Sequence, residues 1–200
     1  MELAYSLNTL YFLLSGVLVM WMAAGFTMLE AGSVRSKNVI EILLKNVALY
    51  SVASITFLLL GYSIMYGWGD IETHSMYSDF FFQVVFVATA MSVVSGAVAE
   101  RKKLWTFLLF AAIFTAIIYP IQGSWSWGGG WLSERGFFDF AGAGIVHMAG
   151  ATAALAGVLI LGPRKGKYAK DGTPKPIHGS NSAQVALGTL ILWMGWFGFN

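Results

Sequence analysis

The sequence contains no cysteine and few charged residues. Among its 200 residues none is Cys, and Asp, Glu, Lys and Arg together make up 11%. Without a thiol the chain forms no disulfide, no thiolate metal site and no cysteine nucleophile. Because a water-facing surface needs roughly a quarter of its residues charged, this composition excludes a soluble protein. The 57% share of hydrophobic residues also excludes a disordered chain and indicates a polytopic membrane protein.

Long runs without Asp, Glu, Lys or Arg make up most of the sequence. Each run is 18 to 23 residues long, which is enough for a helix to cross a hydrocarbon core of about 30 Å. We therefore predict an all-α transmembrane helical bundle that forms a single membrane domain over residues 1–200. The last run reaches the end of the sequence, so we expect a longer protein truncated here after about six spans. The predicted spans are 8–29, 46–67, 80–99, 104–122, 140–162 and 182–199.

The basic residues indicate the orientation of the bundle. Eleven of the twelve Lys and Arg residues lie in the first, third and fifth loops or at the adjoining helix start. The positive-inside rule makes these loops cytoplasmic and places the N-terminus outside. The fifth loop, 163–181, is most simply a solvated turn, with binding to anionic lipid or a cytosolic partner as the alternative. Glu41 and Lys45, four residues apart on one helix, are predicted to pair.

His147 is the strongest single indication of a function. It lies eight residues after Asp139, which places it about 12 Å into the membrane if a helix begins there. An ionisable side chain at that depth is commonly part of an ion or proton pathway. A neutral histidine that forms a hydrogen bond between helices is the structural alternative.

Asp139 precedes the fifth span and has two interpretations. Its carboxylate can cap the helix by accepting from the N–H of Ala141 or Gly142, which also complements the helix dipole. The alternative is a negative charge that attracts cations at the outer mouth. The cap is the simpler interpretation.

Aromatic residues from three parts of the chain are predicted at the same outer level of the membrane. Phe82 and Phe86 are four residues apart on the third span, Trp127 lies in the fourth loop, and Phe199 ends the sixth span. Aromatic faces attract a poorly hydrated cation by about 0.5–2 kcal/mol each. These four residues are therefore candidates for a cation site or gate above His147, although aromatics in lipid contact or in the core are also common.

The remaining motifs in the sequence do not indicate an enzyme. The glycines at 128–130 are not followed by the Lys-Ser/Thr of a phosphate loop, and His74 and His178 lack metal-ligand spacing to a partner. The sequence shows no hydrolytic triad, redox motif or nucleotide fingerprint. We expect no cofactor, no metal and no nucleic-acid partner.

Five stretches of the sequence, in order, are similar to motifs of one family. Taken together they are specific, and the chain resembles the ammonium transporter (Amt/Mep/Rh) family. The matching stretches are Glu30-Ala-Gly-Ser-Val-Arg-Ser-Lys-Asn38, Gly96-Ala-Val-Ala-Glu-Arg101, Trp127-Gly-Gly-Gly130, Asp139-Phe-Ala-Gly-Ala-Gly-Ile-Val-His147 and Gly195-Trp-Phe-Gly-Phe-Asn200.

The resemblance implies a fold and a set of residue roles. The family forms homotrimers of a longer helical bundle whose two halves are an inverted repeat, and this chain covers the first half and the opening of the second. By motif, Trp127 and Phe86 match the ammonium-binding aromatics and Phe86 and Phe199 the gate, to which we add Phe82. His147 matches the first of two pore histidines and Asp139 the acid beside the site. The second histidine and an outer-site serine are expected beyond residue 200.

The resemblance implies ammonium transport in the plasma or inner membrane. Ammonium is expected to bind at the aromatic site, to lose a proton and to pass a hydrophobic, histidine-lined pore as ammonia. The alternative is an ammonium sensor with a signalling domain beyond residue 200. A third hypothesis is a purely structural membrane subunit. A cytosolic regulatory protein is a possible partner.

Overall fold

The computed structural model describes residues 2–199 and is helical throughout its long elements. No strand occurs in this range, apart from one isolated bridge between Tyr168 and Pro174 in the fifth loop. The predicted all-α membrane bundle is therefore confirmed. A short helix, Trp131–Glu134, lies in the fourth loop. The long helices are α1 (Glu2–Ser33), α2 (Ser36–Met65), α3 (Met76–Ala97), α4 (Leu104–Ser124), α5 (Ala143–Leu161) and α6 (Ser182–Trp196).

The first five helices are long and apolar enough to cross a membrane, whereas α6 is shorter. Helices α4 and α6 begin at the predicted residues, 104 and 182, whereas the other helix ends differ from those predicted. The largest difference is at α2, which begins ten residues earlier than predicted and so includes Glu41 and Lys45. The predicted domain 1–200 and its six membrane crossings stay predictions, and Met1 and Asn200 lie outside the described residues.

Helix α3 is the central element of the bundle. A larger share of its residues is buried than in any other described helix that is long and apolar enough to cross a membrane. It packs against α1, α2 and α5. Helix α6 packs along α1, where Gly188 lies directly against Leu29 and Gly25. A glycine at this position is needed because any side chain would collide with the backbone of α1.

Three helices contain π-helical turns. Two of them, Phe57–Gly61 in α2 and Phe114–Ile118 in α4, lie side by side, with Thr56 and Thr115 hydroxyls 2.7 Å apart. The third, Ala143–Met148, opens α5 and contains His147. π-turns inside α-helices are rare and frequently occur at functional sites.

A buried ion pair joins α1 to α2 and corrects one prediction. Lys45 Nζ donates to Glu30 Oε2, and both side chains are almost completely buried. Ser95 on α3 donates to the same carboxylate. The predicted Glu41–Lys45 pair is wrong, because Lys45 points into the bundle while the more exposed Glu41 accepts a hydrogen bond from Lys102 Nζ at 2.8 Å.

Glu100 connects three loops on the basic side of the bundle. Its carboxylate accepts from Arg35 N and Nε at 3.0 Å, from Asn38 Nδ2 at 2.6 Å and from Arg164 at 3.2 Å. Burial would raise the pKa of this carboxyl, but these hydrogen bonds outweigh burial and lower the pKa to about 2. The loops after α1, α3 and α5 are therefore held by one negative charge.

Candidate functional site

A cavity of about 260 Å³ lies at the end of the bundle opposite the basic loops. Its wall includes the four aromatic residues singled out from the sequence, and we call it the aromatic cavity. These residues are Phe82, Phe86, Trp127 and Phe199. Residues from α3, from the loop before α5 and from the turn after α6 thus meet at one place.

Phe86 is the centre of this aromatic group. Its ring centroid lies 4.7 Å from Phe82, 5.8 Å from Trp127 and 4.6 Å from Phe199. All three contacts are edge-on or steeply inclined, the arrangement that aromatic pairs prefer. Phe86 and Phe199 are buried, whereas Phe82 and Trp127 are half-buried, so the Phe86–Phe199 pair is the most shielded part of this group.

Trp127 is positioned by the segment that precedes α5. Its indole Nε1 donates to the carbonyl oxygen of Asp139 at 2.7 Å. Gly142 faces the same ring and has φ +77°, and a Cβ there would come within 3.0 Å of the indole. A side chain at 142 would therefore be strained in the backbone and would displace Trp127.

The Asp139 carboxylate caps α5. Its two oxygens accept from the backbone N–H groups of Ala143, Gly144 and Ile145, each at 2.9 Å. A cap was predicted, but its expected partners, Ala141 and Gly142, were wrong because the helix begins at Ala143. Three backbone donors on one carboxylate favour the cap over the cation-attracting alternative.

His147 lies below the aromatic cavity. Its ring centroid is 5.3 Å from Phe199 and 4.9 Å from Trp196. Its Nε2 atom is buried and has no hydrogen-bond partner among residues 2–199. A buried polar atom left unpaired costs about 1–3 kcal/mol, so this nitrogen is available to a polar molecule that reaches it.

The comparisons with known proteins identify the family. A family model described as "Ammonium Transporter Family" matches residues 10–200. The chain belongs to the ammonium transporter family. It is 46% identical to ammonium transporter Amt2 of Archaeoglobus fulgidus, over 94% of this chain and 45% of that protein. It is 41% identical to the putative ammonium transporter sll1017 of Synechocystis, over 100% of this chain and 49% of that protein.

Solved structures of this family share the fold. The structure named "Sensor Amt Protein" superposes with a TM-score of 0.92 and 38% identity, over 100% of this chain and 55% of that one. Candida albicans Mep2 superposes with a TM-score of 0.82 and 28% identity, over 96% and 47% of the two chains. The chain thus spans about half the length of the relatives that it matches, and like them it is a multi-pass membrane protein.

The candidate site also includes residues that the sequence did not indicate. Phe12 of α1 packs edge-on against Phe82 at 5.0 Å, and Trp196 packs against His147. Asp79 and Gln83 also line the aromatic cavity. One signal was available, because Asp79, Gln83 and Phe86 have the i, i+4, i+7 spacing of a single helix face.

No group of three or more His, Cys, Asp or Glu suited to a metal ion occurs among residues 2–199.

The chain has a second, larger cavity, an apolar groove of about 630 Å³ between α3, α4 and α5. None of the four aromatic residues and no His147 atom lines this groove, so its size does not make it the candidate site.

Proposed function

We propose that the protein transports ammonium by binding the cation in the aromatic cavity and passing it as ammonia between Phe86 and Phe199 to His147. The observation that carries this proposal is the continuous series of contacts from Trp127 through the two phenylalanines to an imidazole with a buried, unpaired nitrogen. The transporter names of the curated relatives support the same substrate.

Binding of the cation is the first step. Trp127 and Phe86 present aromatic rings to the cavity, and each such ring attracts a cation by about 0.5–2 kcal/mol. The hydrogen bond to Asp139 holds the indole in place before the substrate arrives. Preorganised groups of this kind lower the cost of binding.

Loss of a proton is the second step. Moving an unpaired cation into a dry apolar passage costs tens of kcal/mol by Born estimates. Ammonium avoids this cost when it gives up a proton and continues as neutral ammonia. The Phe86 and Phe199 rings, 4.6 Å apart and backed by Phe82, exclude water at this point. The released proton goes to water in the aromatic cavity, and His147 Nε2, which has no partner among residues 2–199, accepts a hydrogen bond from the ammonia that passes the rings.

We further propose that the whole protein is a homotrimer, as the family resemblance implies, and that its basic inner loops are where a cytosolic regulator would bind. The sensor alternative is less well supported, because the curated relatives carry transporter names, although one solved relative is named a sensor.

The test is uptake of labelled methylammonium into vesicles that contain the full-length protein. We expect His147→Leu to abolish or strongly reduce uptake. His178→Leu is the matched control, since that histidine is exposed in the fifth loop, and it should retain wild-type uptake. Wild-type uptake by His147→Leu contradicts the proposed mechanism. A wild-type protein that binds methylammonium but does not take it up supports the sensor instead.

A further inference from the structure

The wall of the aromatic cavity contains a carboxylate that the mechanism above does not use. Asp79 lies in the first turn of α3 and is only 8% exposed, yet it lines the cavity together with Phe82 and Phe86. A buried carboxylate is costly to keep unless it is hydrogen-bonded or has a function.

Neutral groups hold this carboxylate in place. The Tyr62 hydroxyl donates to Oδ2 at 2.6 Å, and Gln83 Nε2 donates to Oδ1 at 3.3 Å. Gln83 Oε1 in turn accepts from the Tyr66 hydroxyl at 2.9 Å. These donors fix the position of the carboxylate without cancelling its charge.

A purely structural role at the helix start does not explain the geometry. A capping carboxylate accepts from backbone N–H groups of the first turn, but among residues 2–199 Asp79 accepts only from side chains. The nearest basic group is His74, whose Nε2 lies 3.7 Å from Oδ1, too far for a hydrogen bond. That nitrogen is buried and has no hydrogen-bond partner in the described range, while its ring stacks on Phe12 at 4.1 Å.

We propose that Asp79 is a second binding group of the aromatic cavity, which attracts an ammonium-type cation and accepts a hydrogen bond from one of its N–H groups. This inference rests on the proposed function and adds a specificity-determining residue to it. Aromatic rings attract positive charge but are weak hydrogen-bond acceptors, whereas a carboxylate accepts strong, charge-assisted bonds from N–H donors. The site then favours a small cation with N–H groups over one without them.

The test measures methylammonium uptake by the full-length protein at about pH 8, where imidazoles are mostly uncharged. Asp79→Asn keeps an oxygen for the Tyr62 hydroxyl but removes the charge. We expect KM to rise by roughly tenfold or more, with kcat within about twofold of wild type, because the lost interaction acts in binding. Glu72→Gln is the control, since it removes an exposed acid from the loop that precedes α3, and its KM should stay unchanged.

The dependence on salt separates a charge effect from a structural one. We expect the wild-type KM to rise with ionic strength and the Asp79→Asn KM to be nearly constant, because only the former includes a charge attraction that salt screens. If Asp79→Asn does not fold, the Asp70→Asn/Glu72→Gln double variant decides. A KM independent of ionic strength in that variant overturns the proposal, and a salt-sensitive one supports it.

The outcomes distinguish the two proposals. Absence of uptake by the wild type refutes the proposed function. Uptake by the wild type, together with an unchanged KM and unchanged salt dependence in Asp79→Asn, refutes the role of Asp79 and leaves the transport proposal in place.

Discussion

Replacing Lys45 with Met should strongly destabilise the protein. The Lys45 side chain is completely buried, and its ammonium group donates to the equally buried Glu30. Met has a similar length and no charge, so the change removes the cation and leaves the Glu30 carboxylate in the interior. Ser95 still donates to that carboxylate, but a neutral hydroxyl does not balance its charge.

The expected magnitude follows from the burial of both partners. Removing one member of a buried ion pair costs about 3–5 kcal/mol, because the other charge stays desolvated. For a chain of this size that loss corresponds to a decrease in Tm on the order of 10 °C. Removing both charges is far less harmful, so the Glu30→Gln/Lys45→Met double variant should recover most of the loss.

Thermal unfolding of the purified protein in detergent measures these differences. Lys103→Met is the matched control, since that lysine is exposed at the start of α4, and it should change Tm by no more than a degree or so, about 0.5 kcal/mol at most. A Lys45→Met protein as stable as wild type would show that the pair is not coupled as described. So would a double variant whose loss of stability equals the sum of the losses in the two single variants.

Two further predictions concern the inner loops and the α1–α6 contact. Glu100→Gln should lower stability at neutral pH by up to about 3 kcal/mol, the value that corresponds to a pKa lowered from 4.5 to about 2. Because the pKa is lower in the folded state, this stability is present above about pH 4.5 and is lost as the pH falls toward 2. The Tm difference from wild type should therefore vanish in acid, and a difference constant with pH argues against this origin. Gly188→Leu should separate α6 from α1, because its side chain would collide with Leu29, and a normal Tm would contradict that contact. Leu190→Ala, an exposed position on α6, is its control.

The sequence predicted which residues share a level along the helices better than it predicted the contacts between helices. Apolar runs and basic loops place Phe86, Trp127 and Phe199 at one outer level, and the structure brings the three rings together. Their roles in binding and gating stay predictions. The level of a residue follows from counting residues along its helix at about 1.5 Å each, which needs no knowledge of how helices pack.

Contacts between helices were not predictable in the same way. The helices are apolar on nearly all faces, so no polar stripe shows which side of one helix meets another. This is why Lys45 was assigned to Glu41 on its own helix, whereas its partner is Glu30 on α1. Phe12 and Trp196 were missed for the same reason, since nothing in their local sequence distinguishes them from lipid-facing aromatics.

The most direct test of the transport mechanism compares the flux of ammonium with that of potassium through the full-length protein in lipid vesicles. Potassium has no proton to lose, so it must cross the passage between Phe86 and Phe199 as a bare cation, at the cost that ammonium avoids. We predict rapid uptake of ammonium and no potassium flux above that of empty vesicles. Potassium flux comparable to that of ammonium would contradict the mechanism.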